Sequence, residues 1–322
     1  MLSAQLATIV VAVVLLCSCN GQQQAKSPPH YNFNKPERIR LPDDLMEISG
    51  LAYYANDKSI IAESDEQPYI FKIPLDKPNN IKRWKLDRKR DHEDIVLLDS
   101  TLYLLNSNGN LFAMQFTTDS VSMTKYEFPW QGKNEFEALY YDPELKQLVI
   151  ICKECEEEVK TNNTVYAFDP AQAMYSKLFV IDGSKALEAS TTSASKFKPS
   201  GAAIHPITGE LYILSSVNKE LVVADRGGKI KEVYQLSPKT FYHPEGITFE
   251  PNGGLYISNE AEDPLPADIL YFEYKKEAAG SKKGEKESKK EKKESKKDEK
   301  DSGGEESKKD QKESKGSKET KE

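Results

Sequence analysis

Acidic residues stand at both open ends of a short apolar hairpin in this sequence. The segment HPEGITFEPNGGLYISNEAED, residues 243–263, has the composition and spacing of two β-strands around a turn. Glu245 begins the first strand and Glu260 follows the second, so both carboxylates belong to the same end of the hairpin. Carboxylates brought together in this way either hold protons or have a cation among them.

Four other segments repeat this phrase and place oxygen donors at the same two positions. The copies begin at Ile48, His92, Phe136, Pro199 and Pro244. Their first strands start with Ser49, which has Glu47 two residues before it, and with Glu93, Glu137, Ser200 and Glu245. Their second strands end with Asp65 and Glu66, Asn106, Glu154, Ser216, and Asn259 with Glu260. For any single acid, the alternative is a solvated position at a strand end with no specific role. The recurrence of acids at equivalent positions of the copies favours a shared role.

The donor types indicate which cation such a site would take. Oxygen ligands without clustered His or Cys select a hard cation, and an irregular set suits Ca²⁺ better than the strict octahedron of Mg²⁺. The sequence therefore predicts a calcium site. Its predicted ligands are Glu47, Asp65, Glu66, Glu93, Glu137, Glu154, Glu245 and Glu260.

The elements that would bring these acids together are the repeats themselves. Anchored on Gly50, Asp94, Ala138, Gly201 and Gly246, the copies follow one another at intervals of 44, 44, 63 and 45 residues. That is the length of a four-stranded propeller blade, and each copy continues with further β-rich segments. Since the first strand of every blade lines the central channel, the acidic ends meet near one axis. The predicted fold class is all-β, a five-bladed β-propeller.

Two segments outside the regular repeats complete this architecture. The fifth copy offers only three strands, and PERIRL at residues 36–41 resembles the outer strands of other copies. We expect this N-terminal strand to pair with the last blade and close the ring, which removes an exposed edge. Residues 182–197, rich in Ser, Ala and Thr, are expected to form an extended loop on the rim rather than a degenerate sixth blade.

The repeated phrases also resemble a known family. The segments ISGLAY with SDE, HEDI, FEALYYDPE with KE, PSGAAIHPITGELYILS and HPEGITFEPNGGLYISNE are similar to the SdiA-regulated family of bacterial β-propellers, which is distantly similar to NHL-repeat proteins. The resemblance implies a five-bladed propeller with bound calcium, an exported or membrane-anchored location, and no established activity. This chain departs from the family pattern at Asp94, where Gly is usual, and at Asn106, where an acid is usual.

The N-terminal residues predict export. The apolar run of the first nineteen residues is short for a membrane span and stops at small residues and a cysteine, so residues 1–18 are interpreted as a lipoprotein signal peptide. Leu16–Cys19 resembles a bacterial lipobox, which implies acylation of Cys19, for example with palmitate. We therefore expect a lipid anchor in the cell membrane or outer membrane of a bacterial envelope, then a linker at 19–34 and the propeller at 35–274.

The C-terminal residues 275–322 contain Lys, Glu, Ser and Gly and no large apolar residue, which predicts a disordered tail. The tail has 18 Lys and 14 acidic residues, a charge of +4. Because the whole chain has a formal charge of −7, the remaining residues carry −11. An acidic propeller excludes nucleic acid as a favoured partner, and we expect a monomer.

Apart from Cys17 and Cys19 near the N-terminus, the chain has two cysteines, Cys152 and Cys155 in the segment ICKEC. A single CxxC without a second pair is weak support for zinc. In an exported protein these residues form either a local disulfide or two free thiols at a strand end.

Two classes of function fit these observations. The first is a membrane-anchored, calcium-binding propeller that acts as a binding or scaffold module for an unidentified ligand or envelope protein at its funnel. The alternative is a calcium-dependent hydrolase of the lactonase, esterase or phosphoesterase type, with its site at the channel. His92 and His243 lie beside channel acids and are candidates for proton transfer, although an ordinary rim position is favoured for both. No catalytic residue is identified from the sequence.

Overall fold

The structure is a computed structural model that describes residues 26–65, 67–86, 91–116, 121–156 and 161–276. In these residues the chain forms five four-stranded antiparallel sheets. The prediction of an all-β, five-bladed propeller is confirmed. The predicted signal peptide, Cys19 with its predicted lipidation, and the tail from residue 277 lie outside the described residues.

Each blade takes its strands from consecutive stretches of the chain. Blade 1 contains β2 (Ile48–Tyr54), β3 (Ser59–Ser64), β4 (Tyr69–Pro74) and β5 (Lys82–Lys85). Blade 2 contains β6 (His92–Leu98), β7 (Thr101–Asn106), β8 (Leu111–Phe116) and β9 (Val121–Tyr126). Blade 3 contains β10 (Asn134–Asp142), β11 (Gln147–Cys155), β12 (Asn162–Asp169) and β13 (Met174–Asp182). Blade 4 contains β14 (Gly201–Ile204), β15 (Leu211–Ser215), β16 (Glu220–Ala224) and β17 (Ile230–Gln235).

Blade 5 joins the two ends of the propeller sequence. It contains β18 (Pro244–Phe249), β19 (Leu255–Asn259), β20 (Asp268–Phe272) and, as its outer strand, β1 (Glu37–Arg40). β1 runs antiparallel to β20 from the pair Glu37 and Tyr271 to the pair Arg40 and Asp268. An ion pair between Arg38 and Asp268 adds a side-chain contact to this seam.

The hydrophobic core consists of five clusters, one between each pair of adjacent blades. Successive side chains of a strand point to opposite faces of its sheet. Leu211 and Ile213 of β15 therefore pack toward blade 3, whereas Tyr212 and Leu214 pack toward blade 5. Because both faces of the middle strands are buried, their sequences are apolar runs rather than alternating patterns.

Part of the segment interpreted as a linker packs against the propeller. Tyr31 and Phe33, within the segment assigned to a linker, are buried between blades 4 and 5. The Tyr31 hydroxyl donates to the carbonyl oxygen of Gly253 at 2.6 Å and lies 2.8 Å from Nε2 of His205. Burial of the imidazole lowers the pKa of His205 to about 4. The N-terminal segment is thus packed into the core of the last two blades.

The inserted segment between blades 3 and 4 differs from the expected extended loop. Its first part forms the short helix α1 (Ser184–Ala189), and only the residues after it are irregular. Ala, Leu, Glu and Lys are good helix formers, and the buried Ala186 packs into the core between the two blades. No helix in the described part of the chain is long and apolar enough to cross a membrane.

Candidate functional site

The inner strands of four blades carry a β-bulge at the position where the sequence repeats its acids. The register shifts between Ile48 and Leu51, between His92 and Asp94, between Phe136 and Ala138, and between Pro244 and Ile247. The residues skipped by these shifts include Ser49, Glu93, Glu137 and Glu245. A bulge re-aims a side chain relative to the regular pleat, and here it occurs at each of these positions.

Hydrogen bonds between neighbouring blades connect the bulges around the channel. The Ser49 hydroxyl donates to the carbonyl oxygen of Glu93 at 2.7 Å. The Ser200 hydroxyl donates to the carbonyl oxygen of Pro244 at 3.1 Å, and the Leu139 amide donates to Oδ2 of Asp94 at 2.7 Å. The two serines that stand in the repeat where other blades have Glu therefore join blades together.

The end of the channel at which the inner strands begin, with Glu93, Glu137, Glu245 and Glu260, is called the acidic mouth below. At this end His243, Glu245 and Glu260 each offer one ligand atom, and these three atoms lie within 4.8 Å of one another. Nδ1 of His243 is 2.9 Å from Oε2 of Glu260, and its Nε2 is 3.3 Å from Oε1 of Glu245. The hydrogen bond to Glu260 raises the pKa of His243, so the imidazolium can bridge the two carboxylates.

Burial raises the pKa of the carboxyl groups in the channel. It raises the pKa of Glu93 to about 9, with a further contribution from Asp91, and that of Glu245 to about 8, with a further contribution from Glu260. It also raises the pKa of Glu63 to about 8, against the stabilising hydrogen bond from the Gly50 amide. Without a bound cation, burial thus favours the protonated form of these carboxyls, and the positive charge of His243 opposes this at Glu245.

Two of the predicted ligands are already paired with lysines. Glu137 bonds to Nζ of Lys153, which also lies 3.0 Å from Oε1 of Glu135. Glu154 lies 2.9 Å from Nζ of Lys198, and half of its side chain is exposed. The carboxylate of Glu154 is thus solvated and paired with a lysine at the rim, unlike the buried acids of the channel.

The remaining predicted ligands lie near the mouth. Asp65 is close enough for its charge to raise the pKa of Glu63, after the larger effect of burial. Its amide donates to the carbonyl oxygen of Glu47 at 3.3 Å, so these two residues border the same edge of blade 1. Glu66 lies outside the described residues.

Sequence reasoning missed two acids in the channel. Glu63 is fully buried, with Oε1 accepting from the Gly50 amide at 2.8 Å and Oε2 without a hydrogen-bond partner among the described residues. Asp94 is buried and accepts from the amides of Ile95 and Leu139. The available signal was a charged residue inside an otherwise apolar strand segment, because such residues are seldom buried without a role.

The two histidines occupy different environments. His243 lies at the acidic mouth between two glutamates, as described above. His92 is fully buried at the start of β6, so the expected rim position is wrong for this residue. Bulging of the inner strand at Glu93 places the adjacent His92 in the interior.

The opposite end of the channel is apolar. A cavity of about 360 Å³ is lined by the second halves of the five inner strands, including Leu51, Ile95, Leu139, Ala202 and Ile247. None of its lining residues is charged at neutral pH. Among the described residues, the acids at the starts of the inner strands thus lie at the acidic mouth. Beside the mouth a disulfide joins Cys152 and Cys155 at the end of β11.

The residues at the mouth fit a hard divalent cation. Buried carboxylates supply negatively charged oxygen donors, and Oε2 of Glu63 is a buried acceptor without a described partner. Glu245 and Glu260 would hold the ion beside His243. The charge of Glu245 also reaches Glu93, whose pKa it raises in addition to burial. A bound cation would lower the pKa of these carboxyls and polarise an oxygen of a ligand.

Solved structures with a similar fold come from several classes of protein. A putative gluconolactonase has 13% sequence identity and a TM-score of 0.49, over 74% of this chain and 92% of that chain. The PQQ-bound aldose sugar dehydrogenase of Streptomyces coelicolor has 12% identity and a TM-score of 0.46, over 77% and 99%. A gluconolactonase from Xanthomonas campestris has 10% identity and a TM-score of 0.45, over 75% and 91%. These similarities describe the fold alone.

No curated protein matches this chain. A family model does match: the SdiA-regulated family covers residues 27–264, which include strands of all five blades and end before β20. The match begins in the N-terminal segment that packs Tyr31 and Phe33 into the core, and it includes every acid of the mouth. The chain therefore belongs to the SdiA-regulated family.

Proposed function

We propose that this protein is a divalent-cation-binding β-propeller whose acidic mouth holds Ca²⁺, and that the bound ion helps to hold a ligand at the funnel. The observation that carries the proposal is the convergence of His243, Glu245 and Glu260 within 4.8 Å. Burying several carboxylates in one channel is costly unless protons or a cation neutralise them. Binding of an ion at the mouth would replace those protons.

The donor set favours Ca²⁺ through its carboxylates. Blades 1, 2 and 5 supply hard oxygen ligands, which suit Ca²⁺ or Mg²⁺. These ligands are the carboxylates of Glu63, Glu93, Glu245 and Glu260. The imidazole of His243 adds a nitrogen donor that Mn²⁺ or Zn²⁺ would use better. Both of its nitrogens already contact carboxylates, so we assign His243 the role of a protonated bridge that an ion replaces.

Calorimetric titration of the protein with Ca²⁺, Mg²⁺, Mn²⁺ and Zn²⁺ at neutral pH tests the proposal. We expect one Ca²⁺ per chain, and a melting temperature that rises with Ca²⁺ and falls with a chelator, because a ligand that binds only the folded state stabilises it. Absence of binding heat together with unchanged melting would reject the cation site. Tighter binding of Zn²⁺ would reject Ca²⁺ as the ion and assign the imidazole as a ligand.

The location of the protein is a separate proposal. The N-terminal sequence supports export and anchoring of the chain to a bacterial membrane through Cys19, with an envelope protein or small molecule as the partner at the funnel. Fractionation of cells that express a Cys19→Ala variant tests it. Retention of this variant in the membrane fraction would count against a lipid anchor.

A second function, hydrolysis of a lactone, ester or phosphate ester, is favoured by one observation. Burial raises the pKa of Glu93 to about 9 beside the candidate cation site, which leaves a protonated carboxyl that can act as a general acid. We expect any turnover of lactone, aryl ester or phosphate ester substrates with Ca²⁺ to fall about 100-fold or more in Glu93→Gln. No turnover by the wild type across these substrates would leave the binding function ahead.

A further inference from the structure

Lys153 lies between two glutamates at the acidic mouth. Its Nζ bonds to the carboxylate of Glu137 and lies 3.0 Å from Oε1 of Glu135. Only 16% of the Lys153 side chain is exposed, so solvent and salt screen these contacts less than they screen a surface ion pair. The chain itself therefore offsets part of the negative charge on the blade 3 side of the mouth.

The charge of Lys153 also reaches the other blades. Burial is the main cause that raises the pKa of Glu93 and of Glu245, and Lys153 opposes this rise at both residues. Glu93 belongs to blade 2 and Glu245 to blade 5, so the ammonium group acts across the channel. Any cation bound at Glu245 would be repelled by this group.

A disulfide restrains the backbone on both sides of Lys153. Cys152 and Cys155 are joined across the two residues Lys153 and Glu154, with their Cα atoms 6.1 Å apart. Both cysteines are buried in the core between blades 2 and 3. The cross-link therefore fixes the segment from which Lys153 extends, whereas the neighbouring Glu154 remains at the exposed rim.

We infer that Lys153 determines the specificity of the mouth as a built-in cation, held in place by the Cys152–Cys155 disulfide. It offsets one of the two negative charges of Glu135 and Glu137 and limits the site to one divalent ion on the side of Glu245 and Glu260. An ion that used Glu137 as a ligand would have to displace Nζ of Lys153. This inference rests on the proposed function, since it concerns the same cation.

Replacing Lys153 by Met tests the role of the charge. We expect Lys153→Met to bind Ca²⁺ about tenfold more tightly or better in a calorimetric titration, because a repulsive charge is removed and two carboxylates become available. Lys153→Arg keeps the charge and should retain the wild-type affinity. Lys198→Met is the matched control, because its partner Glu154 is half exposed, and its affinity should stay within about twofold of the wild type.

The double variant Cys152→Ser with Cys155→Ser tests the restraint. We expect its Ca²⁺ affinity to shift toward that of Lys153→Met, because Lys153 is no longer fixed against Glu137. Thermal melting checks that each variant is folded. An unchanged affinity in the folded double variant would overturn the role of the disulfide.

The outcomes separate this inference from the proposed function. If neither the wild type nor Lys153→Met binds Ca²⁺, the proposed cation site is wrong. If the wild type binds and Lys153→Met binds equally tightly, the role of Lys153 is wrong while the cation site stands. Two ions per wild-type chain would likewise overturn the limit that Lys153 is inferred to impose.

Discussion

Glu245→Gln should lower the affinity for Ca²⁺ at least about 100-fold, since even the loss of a partner outside the coordination shell costs 10–100-fold at metal sites. Glu245 lies at the centre of the candidate site, with its carboxylate 3.3 Å from His243. Gln keeps the shape of the side chain and removes the negative charge. Calorimetric titration with Ca²⁺ measures the change directly.

Glu154→Gln is the matched control for this substitution. The sequence places both residues in the predicted ligand set, but Glu154 is paired with Lys198 and half of its side chain is exposed. Its loss should change the affinity less than about twofold, as expected for an exposed ion pair. Equal losses in the two variants would show that a diffuse negative field attracts the ion, and no loss in either would place the site elsewhere.

Gly246→Ala should destabilise the folded protein by about 3 kcal/mol, at the upper end of the usual cost of overpacking. A Cβ atom at Gly246 would lie 2.8 Å from Cγ of Leu51 and closer still to the carbonyl oxygen of Ser49. Both obstacles belong to blade 1, and one of them is backbone, so they cannot move aside without opening the contact between the first and last blades. Urea denaturation of the two proteins gives the difference in free energy of unfolding.

Gly227→Ala is the control for Gly246→Ala. A Cβ atom at Gly227 would meet Oδ1 of Asp225 at 3.5 Å, which is ordinary van der Waals contact. We expect a change within about 1 kcal/mol, of either sign, from the altered entropy of the unfolded chain. Equal stability of Gly246→Ala and the wild type would show that the inner strands of blades 5 and 1 can separate at little cost.

The repeat in the sequence was sufficient to predict the blades. Hydrophobic segments of strand length recur at the length of one blade, and this pattern depends only on local composition and spacing. It could not indicate that Tyr31 and Phe33 pack between blades 4 and 5, because such contacts join distant residues, for example Tyr31 and Gly253, which are 222 positions apart in the chain. Nor did it predict α1, whose Ala and Leu lie in a segment dominated by Ser and Thr.

By itself the sequence determined the number of blades and the set of acids that begin the inner strands. The tertiary structure alone decided which of those acids share a buried site: Glu245 and Glu260 lie around His243, Glu137 pairs with Lys153, and Glu154 pairs with Lys198 at the rim. The physical reason is that the charge state of a carboxyl depends on its burial and on the nearest opposite charge. Both are set by side chains from other strands and blades, which a local pattern does not contain.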